Sequence, residues 1–377
     1  MEVTKEAVLT ALAKVTDFEL KQPITQLEMV RDVAIAAGNV TFTVALTGES
    51  AAGGARTRQR LGKEMRDAVS TVEGVSSVEV RWAEEVGMRT IGPDDPMPEV
   101  KNVILVMSGK GGVGKSTTAT NLTMALHRAG YRVGLLDADI YGPSIPTMLG
   151  VSGRPVSMDG KTIEPLSRFG VKLMSIGFLM EDPKAAVIWR GPMLHGALQQ
   201  FMKDVNWGEL DFLLLDLPPG TGDVSLTISQ KVKVTGAIIV TTPQPVATDD
   251  VFKSVSMCQK VNIPIIGVVE NMSYFIDSAG VRHDLFGKGG GEAVAEFAKA
   301  PLLGQIPIDQ SVREWGDKGT PVVQAAPFSP IARAFVEVAE RLADVVAQVH
   351  ATADAHEIPV IDRSGGPGGK RRLPVTK

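Results

Sequence analysis

The chain has 377 residues, of which 44% are hydrophobic and 22% charged, and a formal net charge of −4 at pH 7. Its length allows two or three domains, its composition is that of an ordinary soluble protein, and its charge excludes a general attraction to nucleic acid or anionic membrane. No apolar run approaches a membrane span, and the single cysteine, Cys258, excludes an internal disulfide or a multi-thiolate metal site within one chain.

The first residues, Met1–Glu6, are charged and lack the apolar core of a signal peptide, so a cytoplasmic protein is expected. Residues 1–90 read as a small α+β domain. Thr4 can cap a helix running to about Val15, with Val8, Leu9, Leu12 and Val15 on one face. Val40, Phe42, Val44 and Leu46 alternate as a half-buried strand does. Gly48–Thr57 is a small-residue loop. Leu61, Met65, Ala68 and Val72 mark a second helix, and Val78, Val80 and Trp82 a closing strand. Residues 91–100 hold Pro93, Pro96 and Pro98, which forbid helix and disfavour a central strand, so a semi-extended tether is expected.

From 101 to 350 the pattern changes. Apolar runs recur at Val103–Met107, Val133–Leu136, Val171–Ser175, Phe212–Leu217, Ala237–Val240 and Ile265–Val269, with helical patterns between most of them. Near-continuous apolar strands predict an α/β unit with a mostly parallel sheet covered by helices on both faces. Ile331, Phe335, Val338, Leu342, Val345 and Val349 form the stripe of a final amphipathic helix that packs on the core. Residues 351–377, with Gly365–Gly369 and Lys370-Arg371-Arg372, are expected to be a disordered basic tail.

The strongest signal lies between the run Val103–Met107 and the helical segment Thr118–Ala129. It reads Gly109-Lys110-Gly111-Gly112-Val113-Gly114-Lys115-Ser116-Thr117. Strand, glycine-rich turn and helix are the context of a phosphate-binding loop. Glycines let successive N–H groups point at one anion, and the helix N-terminus adds its dipole. Lys115 supplies charge for the outer phosphates, and the Ser116 hydroxyl can ligate Mg²⁺. Lys110 is one lysine more than an ordinary loop of this kind needs.

Other features point the same way. Asp137 and Asp139 follow an apolar strand, where ligands of open α/β sheets sit. One carboxylate would help hold hydrated Mg²⁺ and the other would orient or deprotonate the attacking water. Phe212–Asp216 has the Walker B form, an apolar strand ending in a carboxylate near the metal, and a mobile Pro/Gly loop, Leu217–Asp223, follows it. Asn271, just past a strand end, can bond both edges of a base, and the backbone around Pro307 in Gly304–Asp309 could line the base pocket. A second glycine cluster, Gly287–Gly291, has no apolar strand before it and no Lys-Ser/Thr after it. It reads as a turn before a helix Glu292–Ala298, not a second nucleotide site.

Taken together, residues 109–116, Asp137–Ser144, Trp189–Met193, Asp216–Asp223 and Glu270–Ser273 resemble the Mrp/ApbC/Nbp35 P-loop ATPases, with their deviant Walker A loop. These proteins act in iron–sulfur cluster assembly and transfer. The N-terminal unit resembles the MIP18-like (DUF59) domain often fused to them, with Asp17-Phe18-Glu19 where that family has Asp-Pro-Glu. The resemblance implies a slow, homodimeric ATPase. It implies phosphate binding by Lys115 and by Lys110, the latter reaching across the dimer. It also implies Mg²⁺ at Ser116, water positioning by Asp139, support of the metal by Asp216, and adenine reading by Asn271. Partners would be apo iron–sulfur clients or another cluster carrier.

The resemblance also implies a [4Fe–4S] cluster bridged by a Cys-x-x-Cys pair from each subunit, just after Tyr274-Phe275. This chain has Ile276–His283 there with no cysteine, and none at Gly48–Ser50, where the small domain has its usual one. No iron–sulfur ligands are identified: Asp277 and His283 read as a solvated loop, and Cys258 as a buried thiol. The alternative function is a MinD/ParA-like switch that positions on membrane or DNA by nucleotide state. The final helix lacks the basic cluster of a membrane anchor. A non-enzymatic scaffold is disfavoured by the intact set Lys115, Asp139 and Asp216.

Overall fold

The computed structural model describes residues 3–357 apart from 18–20, 28, 37, 47–53, 85–86, 141, 181–190 and 221. The first helix, α1 (Lys5–Leu12), is capped as its sequence suggests: Thr4 Oγ1 accepts from Ala7 N at 3.2 Å. It stops at Leu12 and not at Val15. Tight turns there, Val15 N to Leu12 O at 3.0 Å among them, drop Val15 into the core.

A strand β1 (Val30–Ala36), β2 (Asn39–Leu46), a helix α2 (Gly54–Ser70) and β3 (Ser77–Glu84) complete this unit. The sheet order is β1-β2-β3, with β2 antiparallel to β1 and parallel to β3. A parallel pair needs a crossover, and α2 supplies it. Val40, Phe42 and Val44 pack against Val8, Leu12, Leu61, Met65 and Val69. The periodicity did not announce β1, because a bulge between Arg31 and Ala34, with Asp32 at φ 50°, breaks its alternation.

The proline-rich segment is a docked strap, a correction to the expected tether. Arg89 is buried and forms a two-pronged ion pair with Asp95, its Nη2 lying 2.8 Å from Oδ1. The same guanidinium donates to the carbonyls of Met97 at 2.7 Å and Val100 at 3.1 Å. Met97 is buried in the large core. Prolines remove donors and stop regular structure, but they do not stop side chains from packing.

The large unit runs β4 (Val103–Met107), α3 (Lys115–Arg128), β5 (Val133–Asp137), α4 (Ile145–Met148), β6 (Leu166–Arg168) and β7 (Val171–Ser175). It continues with α5 (Gly191–Lys203), β8 (Phe212–Asp216), α6 (Gly222–Lys231), β9 (Gly236–Thr241), α7 (Pro245–Lys260) and β10 (Ile265–Glu270). A hairpin, β11 (Phe275–Ile276) and β12 (Arg282–His283), precedes α8 (Gly290–Ala298), β13 (Leu302–Gln305), α9 (Gln310–Asp317), α10 (Val322–Ala325) and α11 (Pro330–Glu357). The eight-stranded sheet has the order β13-β10-β9-β4-β8-β5-β7-β6, all parallel except the β6 edge.

β4, β5, β8 and β9 are buried at every position, which is why they read as unbroken apolar runs. Ile331, Phe335, Val338 and Leu342 of α11 are in the core. This helix continues to Glu357, so 351–357 are helical and not part of a disordered tail. The segment from Ile361 lies outside the described residues.

Candidate functional site

β4 is the central strand on which the site is built. It runs out of apolar residues at Met107, and the chain turns through Gly109–Gly114 into α3. Gly114 takes φ 80° as the residue before the helix, a conformation that costs a side-chain-bearing residue about 1–2 kcal/mol. A Cβ there would also lie 2.2 Å from Asn271 Nδ2. The loop is held from the other side by that amide, which donates to Val113 O at 2.8 Å. Asn271, expected to read a base, therefore also braces the phosphate loop.

Lys115 is the hub. Its Nζ lies 2.7 Å from Asp216 Oδ1, at the end of β8, and 3.5 Å from Asp139 Oδ2, just beyond β5. It also donates to Ser116 Oγ at 3.3 Å. Parallel pairing sets β5 beside β8 and β8 beside β4, with Asp137 opposite Asp216, so three segments far apart in sequence end at one spot. Asp216 is fully buried, and among the described residues its Oδ2 has no hydrogen-bond partner. Burial pushes this carboxyl up, against the opposing pull of Lys115.

Asp137 does not face the phosphate loop as expected. Its Oδ2 accepts from Ser175 Oγ at 3.0 Å and Ile145 N at 3.4 Å, and its Oδ1 accepts from Asp139 N at 3.2 Å. Burial, then the nearby Asp216 charge, pushes it up to about 8. Asp137 is the last residue of β5, and Ser175 and the start of α4 take its carboxylate, whereas Asp139 lies beyond the strand.

A cavity of about 300 Å³ opens beside the loop. Thr117 and Thr120 of α3, Asn271, Pro307, Val312 and Phe335 are among its walls. Asn271 and Pro307 were expected there. Phe335 is buried in the core as its place in the apolar stripe predicts, and it also lines this cavity, which periodicity does not announce. Met148 and the α9 face gave no local signal, since only the tertiary fold brings them to the loop.

The helix after the second glycine turn already holds a carboxylate of the chain at its N-terminus. Glu270, fully buried at the end of β10, accepts from Gly291 N at 2.5 Å, Ser273 Oγ at 2.5 Å and Gln305 Nε2 at 2.9 Å. The N-terminus of α8, which begins at Gly290 and not Glu292, is thus satisfied by the chain's own carboxylate. In the hairpin, Asp277 accepts from Ala279 N and Val281 N, each at 2.9 Å, and sits 2.7 Å from His283 Nε2. Cys258 is fully buried on α7 with Sγ 3.6 Å from Met107 Sδ, and burial pushes its thiol up to about 11. Residues 18–19, 48–50, 189–190 and 221, named above from sequence, lie outside the described residues.

A Walker-type loop at the C-terminal edge of a mostly parallel sheet, with a Walker B carboxylate on the neighbouring strand, defines a P-loop NTPase. A ParA-type family model described as NUBPL iron-transfer P-loop NTPase matches residues 99–343, and one described as iron-sulfur cluster assembly protein matches 5–82. The chain belongs to this iron-transfer P-loop NTPase family. It is 47% identical over 351 residues to the iron-sulfur cluster carrier protein of Synechocystis, covering 91% of this chain and 98% of the relative. Its identity to the carrier protein of Escherichia coli K12 is 51% over 246 residues, 65% of this chain and 66% of the relative. Among solved structures it resembles a nucleotide-binding protein of Archaeoglobus fulgidus in complex with ADP. The TM-score is 0.53 at 39% identity, over 63% of this chain and 93% of that one.

Proposed function

We propose that this chain is a slow ATPase of iron–sulfur cluster transfer that works as a nucleotide-switched homodimer in the cytoplasm. The observation that carries the reading is the convergence of Lys115, Asp216 and Asp139 at the N-terminus of α3, beside a cavity of base-accepting size. The loop amides from Gly109 to Thr117 hold the phosphates, and Lys115 leaves Asp216 for the outer ones. Asn271 and the backbone at Pro307 receive the base.

The donor set fits Mg²⁺, which keeps several waters and takes one or two carboxylates plus phosphates. Ser116 and Asp216 would hold it, Asp139 through water, and Asp216 Oδ2, without a partner among the described residues, is the atom such a shell would use. The bound ion would neutralise charge on the phosphates. Asp139 orients a water and takes its proton as the water oxygen bonds the γ-phosphorus and the β–γ bridging oxygen leaves with ADP. Lys110 of a second copy stabilises the charge on the transferring group.

The cluster is cargo, and this chain's own thiol does not fit it. Iron–sulfur clusters are held by thiolates, whereas Cys258 is buried and its thiol stays protonated near neutral pH. The reading is therefore of a nucleotide-driven partner of a cluster-holding protein or client. Binding and hydrolysis of ATP with Mg²⁺ test the enzyme, and neither activity, or hydrolysis indifferent to Lys115→Ala, would reject it. Anaerobic reconstitution with iron and sulfide, beside Cys258→Ser, tests the cargo. Stoichiometric iron lost in the serine variant would show that the chain does hold a cluster.

A further inference from the structure

The base cavity and the hydrolytic carboxylate are joined by a backbone contact that the nucleotide reading alone does not require. Helix α9 forms one wall of the cavity through Val312, Arg313 and Asp317, and it is fixed at its start by Asp309, whose carboxylate accepts from Ser311 N at 2.8 Å. The chain leaves α9 through Gly319 at φ 75°. It leaves α4, the short helix after Asp139, through Gly150 at φ 61°. These two glycines lie against each other. A Cβ on Gly319 would sit 2.6 Å from Gly150 Cα and 2.8 Å from Gly150 N, and one on Gly150 would sit 3.0 Å from Gly319 O.

α4 closes the circuit on both sides. Its Met148 lines the cavity, with Sδ 3.8 Å from Thr120 Oγ1. Its first amide, Ile145 N, bonds Asp137, which through its other oxygen holds Asp139 N. Ile145 and Leu149 are fully buried, so α4 cannot shift without disturbing the core. From base wall to water-positioning carboxylate the path is α9, Gly319 on Gly150, α4, Asp137, Asp139.

We infer that the Gly150–Gly319 joint makes hydrolysis sensitive to the base: a filled cavity seats α9, and α9 seats the segment carrying Asp139. Gly150 and Gly319 are positioning residues, and base selection acts on turnover more than on binding. The inference rests on the cavity being the nucleotide site.

The test compares saturating ATP with inorganic tripolyphosphate, which has the phosphates and no base, using the full chain and Mg²⁺. Wild type should turn over ATP roughly 5–150-fold faster, the span of an ordinary coupling between sites. Gly319→Ala and Gly150→Ala should each lower the ATP rate toward the tripolyphosphate rate, leave the latter within about twofold, and change ADP affinity less than the ATP rate; that factor lies below the coupling span. Gly196→Ala, at a position open to solvent, should keep the full ratio. Equal saturated rates for both substrates in wild type would overturn the inference while leaving the ATPase reading intact, and that comparison needs no variant to fold. Hydrolysis of neither would overturn both.

Discussion

Two buried ion pairs hold opposite ends of the large domain, and they behave differently. Arg89 and Asp95 fix the strap, while Lys115 and Asp216 sit under the phosphate loop. In the first, both carboxylate oxygens are bonded, and the guanidinium also takes three backbone carbonyls. In the second, one carboxylate oxygen has no partner among the described residues. Burial raises both acids. At Asp95 the hydrogen bonds from Arg89 and Met97 N outweigh it and the carboxyl falls below its usual value, whereas at Asp216 burial wins. A buried pair with its donors and acceptors used is structure, and one left short calls for a further partner.

That contrast can be broken at four points. Lys110→Ala should give the largest change, a fall in ATP turnover of roughly 10³–10⁵ with a far smaller loss of ADP affinity, as for a finger residue. Equal losses in turnover and titrated affinity would show that Lys110 acts within its own loop. Next, Arg89→Ala leaves Asp95 buried without its partner and should cost about 3–5 kcal/mol in urea unfolding, with turnover per folded molecule unchanged. A smaller effect on folding follows Lys115→Ala. It should lower turnover by about 10²–10³, the loss for one preorganised electrostatic donor, yet destabilise the apo chain much less than Arg89→Ala. The Asp216 carboxyl there is already pushed toward its neutral form.

The smallest effect is the pH dependence of the strap. Asp95, and Asp211 beside Arg132, are held below the usual 3.8. A depressed carboxylate contributes stability that is present above the unfolded value and lost as pH falls through the folded one. Denaturant midpoints should therefore be flat from these groups above about pH 4 and fall below it. Asp95→Asn should flatten that acid limb.

The glycine turns show how much a local pattern can carry. Gly109–Thr117 and Gly287–Gly291 both lead into helices, and sequence alone separated them by the strand before and the Lys-Ser after. What holds the helix start after the second turn is Glu270, a residue seventeen positions upstream of Gly287, and no spacing rule announces that contact. Likewise the proline count at 91–100 was a sound guide to the absence of helix, and no guide to whether the segment would dock. Docking depends on Met97 entering the large core and on Arg89 reaching Lys233 O, neither of which is written in the proline count.

The sequence by itself determined the central strands of the large sheet, the phosphate loop and the acids at the strand ends beside it. Unbroken apolar runs, glycine at the turn and acid at strand ends are properties of neighbours in the chain. Only the tertiary structure decided which acid meets Lys115. Asp137 and Asp139 are two residues apart and looked interchangeable, yet the first ends β5 and is bonded by Ser175, while the second lies past the strand and meets the lysine. It also decided that the cavity wall at α9 and the segment after Asp139 touch through Gly150 and Gly319, 169 residues apart. Local rules reach a few residues along the chain, and contacts across a sheet are set by the order in which its strands are laid side by side.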